Sequence, residues 1–130
     1  MKKTDDVLLP SGLELAKAET NWVFQNFIRR TPELTDDPTS LTWENSNPDN
    51  KPARIAKMTA ILTSLAPNEV TAEALAKADL AWENQRVINN LPEYKTLLAT
   101  WESHSQGWRD QELTKWREIL AAARLTMMGA

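Results

Sequence analysis

Large apolar residues recur at helical spacing along the last part of the chain, from Pro92 to Met127. They form two sets, and each set falls on one side of an α-helix. The two sets are out of phase by about 100°, roughly one residue of a helix. The pattern predicts either two helices, over 92–107 and 110–127, or one sharply kinked helix, with the joint at Gly107. Asp110 would be the N-cap of the second helix. The first set is Tyr94, Leu97, Leu98, Trp101 and Trp108, and the second is Leu113, Trp116, Leu120, Ala123 and Met127.

The composition of the chain indicates the same class of fold throughout. Leu and Ala dominate the apolar residues, whereas Val, Ile, Phe and Tyr, which strands favour, are few. A chain of 130 residues is long enough to bury a core of its own. We therefore predict an all-α protein, a compact bundle of about five helices. Its single helical domain is expected over 11–127, after an N-terminal arm over 1–10.

The first helix is predicted from a capping box formed by Ser11 and Glu14, and it should end near Arg30, before a proline. A polar, irregular connection over 31–50 follows it. Trp22 lies roughly opposite the expected inward stripe, together with Leu15 and Ala18. That stripe consists of Leu13, Ala16, Thr20, Val23, Phe24 and Phe27.

The second and third helices are predicted over 51–65 and 72–89. Pro52 falls in the first turn of the second helix, where proline is tolerated. Thr71 caps the third helix, and Val70 can pack against Leu75 as a hydrophobic staple. Short connections between helices favour antiparallel neighbours, which indicates a bundle.

Charge, cysteine content and hydropathy exclude several classes of protein. The formal net charge of −3 is too small for a DNA mimic and has the wrong sign for wrapping nucleic acid. The absence of cysteine excludes disulfides, thiol nucleophiles and cysteine-based metal sites. Neither a signal peptide nor a run of about 20 apolar residues that spans a membrane is recognisable. We expect a cytoplasmic protein.

The residues needed for catalysis are sparse. His104 is the single histidine, and we expect it to be exposed and solvated, since one histidine cannot build a histidine-based metal site. A phosphate-binding loop needs clustered glycines, but Gly12, Gly107 and Gly129 are far apart. We therefore predict a protein without metal, cofactor or enzymatic activity.

Six tryptophans are many for a chain of this length. Most of them should fill gaps between alanine-rich helices. Tryptophan is also enriched at binding hot spots, and Trp22 and Trp43 are the best candidates for a surface position. Arg29, Arg30 and Glu44 would supply a polar rim. This pattern predicts a helical protein that binds another protein, as an adaptor, inhibitor or assembly factor.

Nucleic acid is the alternative partner. Lys51, Arg54 and Lys57 form a basic face on the second helix, and the helices over 51–65 and 72–89 loosely follow a helix-turn-helix order. The presumed recognition helix opens with Ala72 and Glu73, which offer little to read a base edge. A small DNA-binding regulator is therefore the second interpretation.

One short segment of the last predicted helix resembles a known motif. Residues 113–120 read Leu-Thr-Lys-Trp-Arg-Glu-Ile-Leu. This segment resembles the Trp-x-x-Tyr-Arg-x-x-Leu helix of some bacteriophage tail-assembly chaperones, although the tyrosine of that motif is missing. The resemblance is compatible with an accessory protein of a phage or mobile element, and we identify no family from it.

Overall fold

The computed structural model describes residues 9–30, 42–66 and 68–128, except for the side chains of 27–30. These residues form four α-helices and no β-strand: α1 (Gly12–Arg30), α2 (Lys51–Leu65), α3 (Ala72–Asn90) and α4 (Gln106–Met127). A short 3₁₀ helix, Pro92–Tyr94, follows α3. The predicted all-α class is confirmed, but the described residues form four α-helices rather than about five.

The helices pack in a ring, in which α1 and α3 each contact both α2 and α4. Gly12 lies against Thr59, and Nη1 of Arg54 donates to Oγ1 of Thr20 over 3.2 Å. Because later residues of α1 meet earlier residues of α2, these two helices run antiparallel. Each α-helix therefore packs mainly on two other α-helices.

One hydrophobic core joins all four helices, and Trp116 of α4 is the largest of its fully buried side chains. The turn after residue 42 adds Trp43, and the segment before α3 adds Val70. Val70 and Leu75 are both buried, as expected for the predicted staple. The remaining buried members are Leu15, Ala16, Ala18, Met58, Ile61, Ala76, Ile119, Leu120 and Ala123.

The predicted inward side of α1 is wrong in part. Ala16 and Thr20 are buried as expected, but Leu13 is exposed. Leu15 and Ala18, which the sequence pattern assigned to the opposite side, are buried. Because α1 packs on α2 along one side and on α4 along the other, its buried arc is wider than one stripe.

The predicted helix over 92–107 is also wrong, because its first residues form only the 3₁₀ helix, 95–105 are not helical, and 106–107 already belong to α4. The backbone N–H of Thr100 donates to Oγ of Ser103 over 2.8 Å, and that hydroxyl donates back to the Thr100 carbonyl over 3.0 Å. Such side-chain bonds compete with the helical ladder. Leu97, assigned to the inward stripe, is 75% exposed.

Helix α4 begins earlier than predicted. Oγ of Ser105 accepts from the N–H of Trp108 over 3.1 Å and is the N-cap, so Asp110 lies inside the helix and not at its cap. Gly107 is a residue of the first turn of α4 and not a joint. The inward stripe of α4 agrees better, since Trp116, Leu120 and Ala123 are buried as predicted.

Of the predicted connection over 31–50, the structure describes 42–50, which form turns; 31–41 lie outside the described residues, as do 1–8 of the predicted arm. The helices found in the described part of the chain are all too short or too polar to cross a membrane.

Candidate functional site

Trp22 lies on α1 where that helix meets α4, and its side chain is half-buried. The indole N–H donates to Oε1 of Glu118 over 2.6 Å. A hydrogen bond to a carboxylate is stronger than one between neutral groups. On the same helix as Glu118, Nζ of Lys115 lies 5.8 Å from the Trp22 ring centroid, within cation–π range. The ring is therefore fixed between α1 and α4 while part of it stays open to solvent.

A hollow of about 420 Å³ opens beside Trp22, between α1, α4 and the turn after residue 42. We call it the Trp22 groove. The structure brings Trp22, proposed from the sequence as a surface aromatic, and Glu44, proposed as part of its polar rim, into the lining of this one hollow. Its lining also includes Glu14, Lys17, Glu118 and Ala122.

The charges that described residues bring to the Trp22 groove are mostly negative. Glu14, Glu44 and Glu118 contribute three carboxylates, and Lys17 contributes one ammonium. The hydroxyl of Ser11 donates to Oε1 of Glu14 and lowers the pKa of that carboxyl below its usual 4.5. The ionised form of Glu14 is therefore favoured relative to that of a free glutamate.

A second hollow of about 550 Å³ also borders Trp22. Asn26, Asp110, Glu112 and Lys115 line it with the same ring. Trp22 therefore lies between two hollows along the contact between α1 and α4. Lys115 borders the second hollow and is absent from the lining of the Trp22 groove.

Trp43 does not occupy the exposed position that its polar neighbours suggested. Its side chain is 5% exposed and belongs to the core. The backbone N–H of Trp43 donates to Oδ1 of Asn21 on α1 over 2.8 Å, which ties the turn to the helix. The expectation that the Trp43 ring lies at the surface is therefore wrong, since the ring is buried in the core. The hydrogen bond to Asn21 holds the turn that carries Trp43 against α1.

Arg29 and Arg30, proposed as the basic part of the rim, are the last residues of α1. Their side chains lie outside the described residues, so their place in the rim stays a prediction.

Lys51 and Arg54 of the predicted basic face contact the turn before α2 and helix α1. Nζ of Lys51 lies 5.4 Å from the Trp43 ring centroid and 3.4 Å from the carbonyl oxygen of Glu44, to which it donates. The Arg54 guanidinium donates to the buried Thr20 hydroxyl. Both side chains therefore take part in packing α2 and the preceding turn against the rest of the protein.

Lys57, the third residue of that face, is held by carboxylates of α3. Its Nζ lies 2.7 Å from Oδ1 of Asp79 and 2.7 Å from Oε2 of Glu83. The side chains of Lys57 and Asp79 are only 17% and 16% exposed. Burial opposes the charge of Lys57, but the two carboxylates outweigh it and raise the pKa of Lys57 above 10.5. Lys57 is therefore a structural cation at the α2–α3 contact.

Glu19 of α1 faces the same charged region. Burial raises the pKa of the Glu19 carboxyl above its usual 4.5, and Asp79 adds to this shift. Lys115, Lys57 and Arg54 act in the opposite direction. Glu19, Arg54 and Lys57 line a hollow of about 570 Å³ together with Glu83 and Arg86, so this hollow carries mixed charge.

His104 is half-buried, whereas we expected it to be exposed and solvated. Its ring stacks on Trp108 with centroids 3.6 Å apart and planes 12° apart. Trp101 contacts the same indole edge-on at 5.7 Å. Among the described residues, no group of histidine and carboxylate side chains is suited to hold a metal ion.

Comparison of the chain with models of protein families, with curated proteins and with solved structures gives no match.

Proposed function

We propose that this chain is a non-enzymatic protein-binding protein, an adaptor, inhibitor or assembly factor, that contacts its partner through the Trp22 groove. The observation that supports this proposal is the fixed position of the Trp22 ring at the edge of a groove. Hydrogen bonding to Glu118 restrains the indole before any partner arrives, so little side-chain entropy is lost on binding.

The surroundings of the ring match the usual arrangement of a binding hot spot. Hot spots are enriched in tryptophan and lie near the centre of an interface, inside a rim of polar groups. Trp22 has a hollow on each side, and charged side chains such as Glu44 and Asp110 border them. A partner that covers both hollows would bury the ring at the centre of its contact.

Site-specific photocrosslinking in cells tests the proposal. A photoreactive residue at Gln25 or Thr126, which are exposed and line the groove, should crosslink to a defined protein. The same residue at Thr63 or Gln85, exposed on α2 and α3 away from the two Trp22 hollows, should not give that product.

Binding of the purified partner then provides the decisive measurement. Ala122 is exposed and lines the groove, so Ala122→Trp should fill it and weaken binding at least about tenfold, or 1.4 kcal/mol. Ala81→Trp, at an exposed position of α3, is the matched control and should leave affinity unchanged. Equal affinities of the two variants, measured by calorimetry, would refute the proposed surface.

The alternative, a DNA-binding regulator that uses α2 and α3, has less support. Lys57 is neutralised by Asp79 and Glu83, and Nη1 of Arg54 donates to the Thr20 hydroxyl, so this face offers less free positive charge to a phosphate than the sequence suggested. A test of this alternative should change Lys51 alone, because Lys57→Glu would place a third carboxylate beside two others. Loss of a salt-sensitive mobility shift in Lys51→Glu would favour DNA binding.

A further inference from the structure

We propose that the partner segment bound in the Trp22 groove is basic, and that it places an arginine or lysine side chain against the Trp22 ring beside Glu118. This inference rests on the proposed function and specifies the chemistry of the partner.

The first argument is the balance of charge in the groove. Among the described residues that line the groove, three carboxylates, those of Glu14, Glu44 and Glu118, face one ammonium, that of Lys17. The adjoining second hollow adds Asp110 and Glu112 against Lys115. An acidic segment would meet like charges in both hollows, whereas a basic one is attracted and oriented by them.

The second argument is the geometry at Trp22. Oε1 of Glu118 accepts the indole N–H, so this carboxylate is held at the edge of the ring. Among the described residues, no hydrogen-bond donor is found for its Oε2. An aromatic face next to a carboxylate is a favourable environment for a guanidinium or ammonium group, because cation–π attraction and a charge-assisted hydrogen bond act together.

The third argument is that this ring already has a cation near it. Lys115 lies 5.8 Å from the Trp22 centroid and belongs to the lining of the second hollow. Lys115 does not line the Trp22 groove. Among the described residues, Lys17 does line it but makes no cation–π contact with Trp22, so the ring surface that borders the groove can receive a cation from a partner.

A peptide titration tests the chemistry directly. Hexa-arginine is titrated into the full-length, ¹⁵N-labelled protein at low ionic strength, with hexa-glutamine and hexa-glutamate as control peptides. Hexa-arginine should bind and shift the Trp22 indole N–H resonance, assigned with a Trp22→Phe variant, while neither control peptide shifts it.

Two triple variants with the same change in net charge provide the matched comparison. The groove variant is Glu14→Gln, Glu44→Gln and Glu118→Gln. Glutamine preserves the capping box at Ser11 and an acceptor for the Trp22 indole, so the fold should persist. The control variant is Glu69→Gln, Glu93→Gln and Glu102→Gln, at exposed positions that line neither Trp22 hollow.

The groove variant should lose about tenfold in affinity for hexa-arginine, because three exposed ion pairs contribute a factor of about two each. The control variant should lose less than about twofold. Equal losses in the two triple variants, or no binding of hexa-arginine at low salt, would overturn the inference.

The outcome for the inference is separable from that for the proposed function. If the crosslinked partner loses affinity with Ala122→Trp but not with the groove variant, the groove binds a protein of different chemistry and only the inference fails. If Ala122→Trp has no effect on that partner, the proposed function fails, whatever the peptides do.

Discussion

The surroundings of the two described glycines, Gly12 and Gly107, lead to opposite predictions for their replacement by alanine. At Gly12, α1 approaches α2 closely. A Cβ atom built on Gly12 would lie 3.0 Å from the carbonyl oxygen of Ile55 and would overlap the Thr59 hydroxyl. A Cβ on Gly107, in the first turn of α4, would have nothing within 4 Å. We therefore expect Gly12→Ala to destabilise the protein and Gly107→Ala to stabilise it.

The magnitudes follow from two opposing terms. Replacing a helical glycine by alanine stabilises by about 0.5 kcal/mol near a helix end, through lost freedom of the unfolded chain. At Gly107 this is the whole effect. At Gly12 overpacking against a backbone carbonyl adds a cost of about 1–3 kcal/mol, so a net loss of about 0.5–2.5 kcal/mol is expected.

Urea unfolding followed by far-UV circular dichroism measures both changes in one assay. The two variants should differ by about 2 kcal/mol, with unchanged m-values. Adding Thr59→Ala to Gly12→Ala removes the overlapped hydroxyl and should restore part of the loss, leaving the contact with the Ile55 carbonyl. A Gly12→Ala protein at least as stable as wild type would refute the close packing of α1 on α2.

Three further predictions concern the α4 cap and the buried charges. Because Ser105 is the N-cap of α4, Ser105→Ala should cost about 1 kcal/mol of unfolding free energy, and Asp110→Ala should cost less than about 0.5 kcal/mol. Urea unfolding measures both changes. A larger loss in Asp110→Ala than in Ser105→Ala would instead support Asp110 as the cap. Lys57→Met should cost about 2 kcal/mol of unfolding free energy, since it removes the partner of the half-buried Asp79 carboxylate and leaves Glu83 paired with Arg86. Lys77→Met, whose ion pair with Glu73 is exposed, should cost less than about 0.5 kcal/mol. Glu19→Gln should raise stability at neutral pH. The pKa of Glu19 is raised on folding, so the folded state binds more protons and wild type loses stability as pH rises from 4.5 through that pKa. Parallel pH profiles of wild type and Glu19→Gln would contradict this.

The bounds of the first three helices were predictable because their signals are local. Helix α1 begins after Ser11 and α2 spans the predicted residues, with Pro52 in its first turn. Oγ1 of Thr71 accepts from the Ala74 N–H over 3.1 Å, as a capping threonine should. Each of these interactions joins residues within one turn, so the sequence alone contains both partners.

The start of α4 shows where local reasoning failed. Apolar periodicity over 92–107 suggested a helix, but the Thr100–Ser103 bonds stabilise a turn instead. Ser105 and Asp110 are both acceptable caps by residue type. Choosing between them required knowing that Trp108 packs against His104 and Trp101, a contact that the spacing did not reveal.

The candidate site was only partly predictable, because its carboxylates come from distant parts of the chain. Trp22 and Glu118 are 96 residues apart in sequence. The apolar periodicity of the sequence placed Trp22 away from the expected inward stripe, but it gave no information on the contact between Trp22 and Glu118. The bonds from Lys57 to Asp79 and Glu83 likewise depend on the packing of α2 against α3, so a basic face read from α2 alone overestimated its free charge.

The different positions of Trp22 and Trp43 determine how the proposed site would select a partner. With Trp43 in the core, Trp22 is the aromatic group of the pair left at the groove. A single half-buried ring offers less apolar area than a hot-spot cluster, so a larger part of the discrimination between partners falls to the carboxylates around it. Rim charges act mainly on the association rate and on salt dependence. The proposed partner would therefore be selected by its positive charge during approach and retained by contact with one indole.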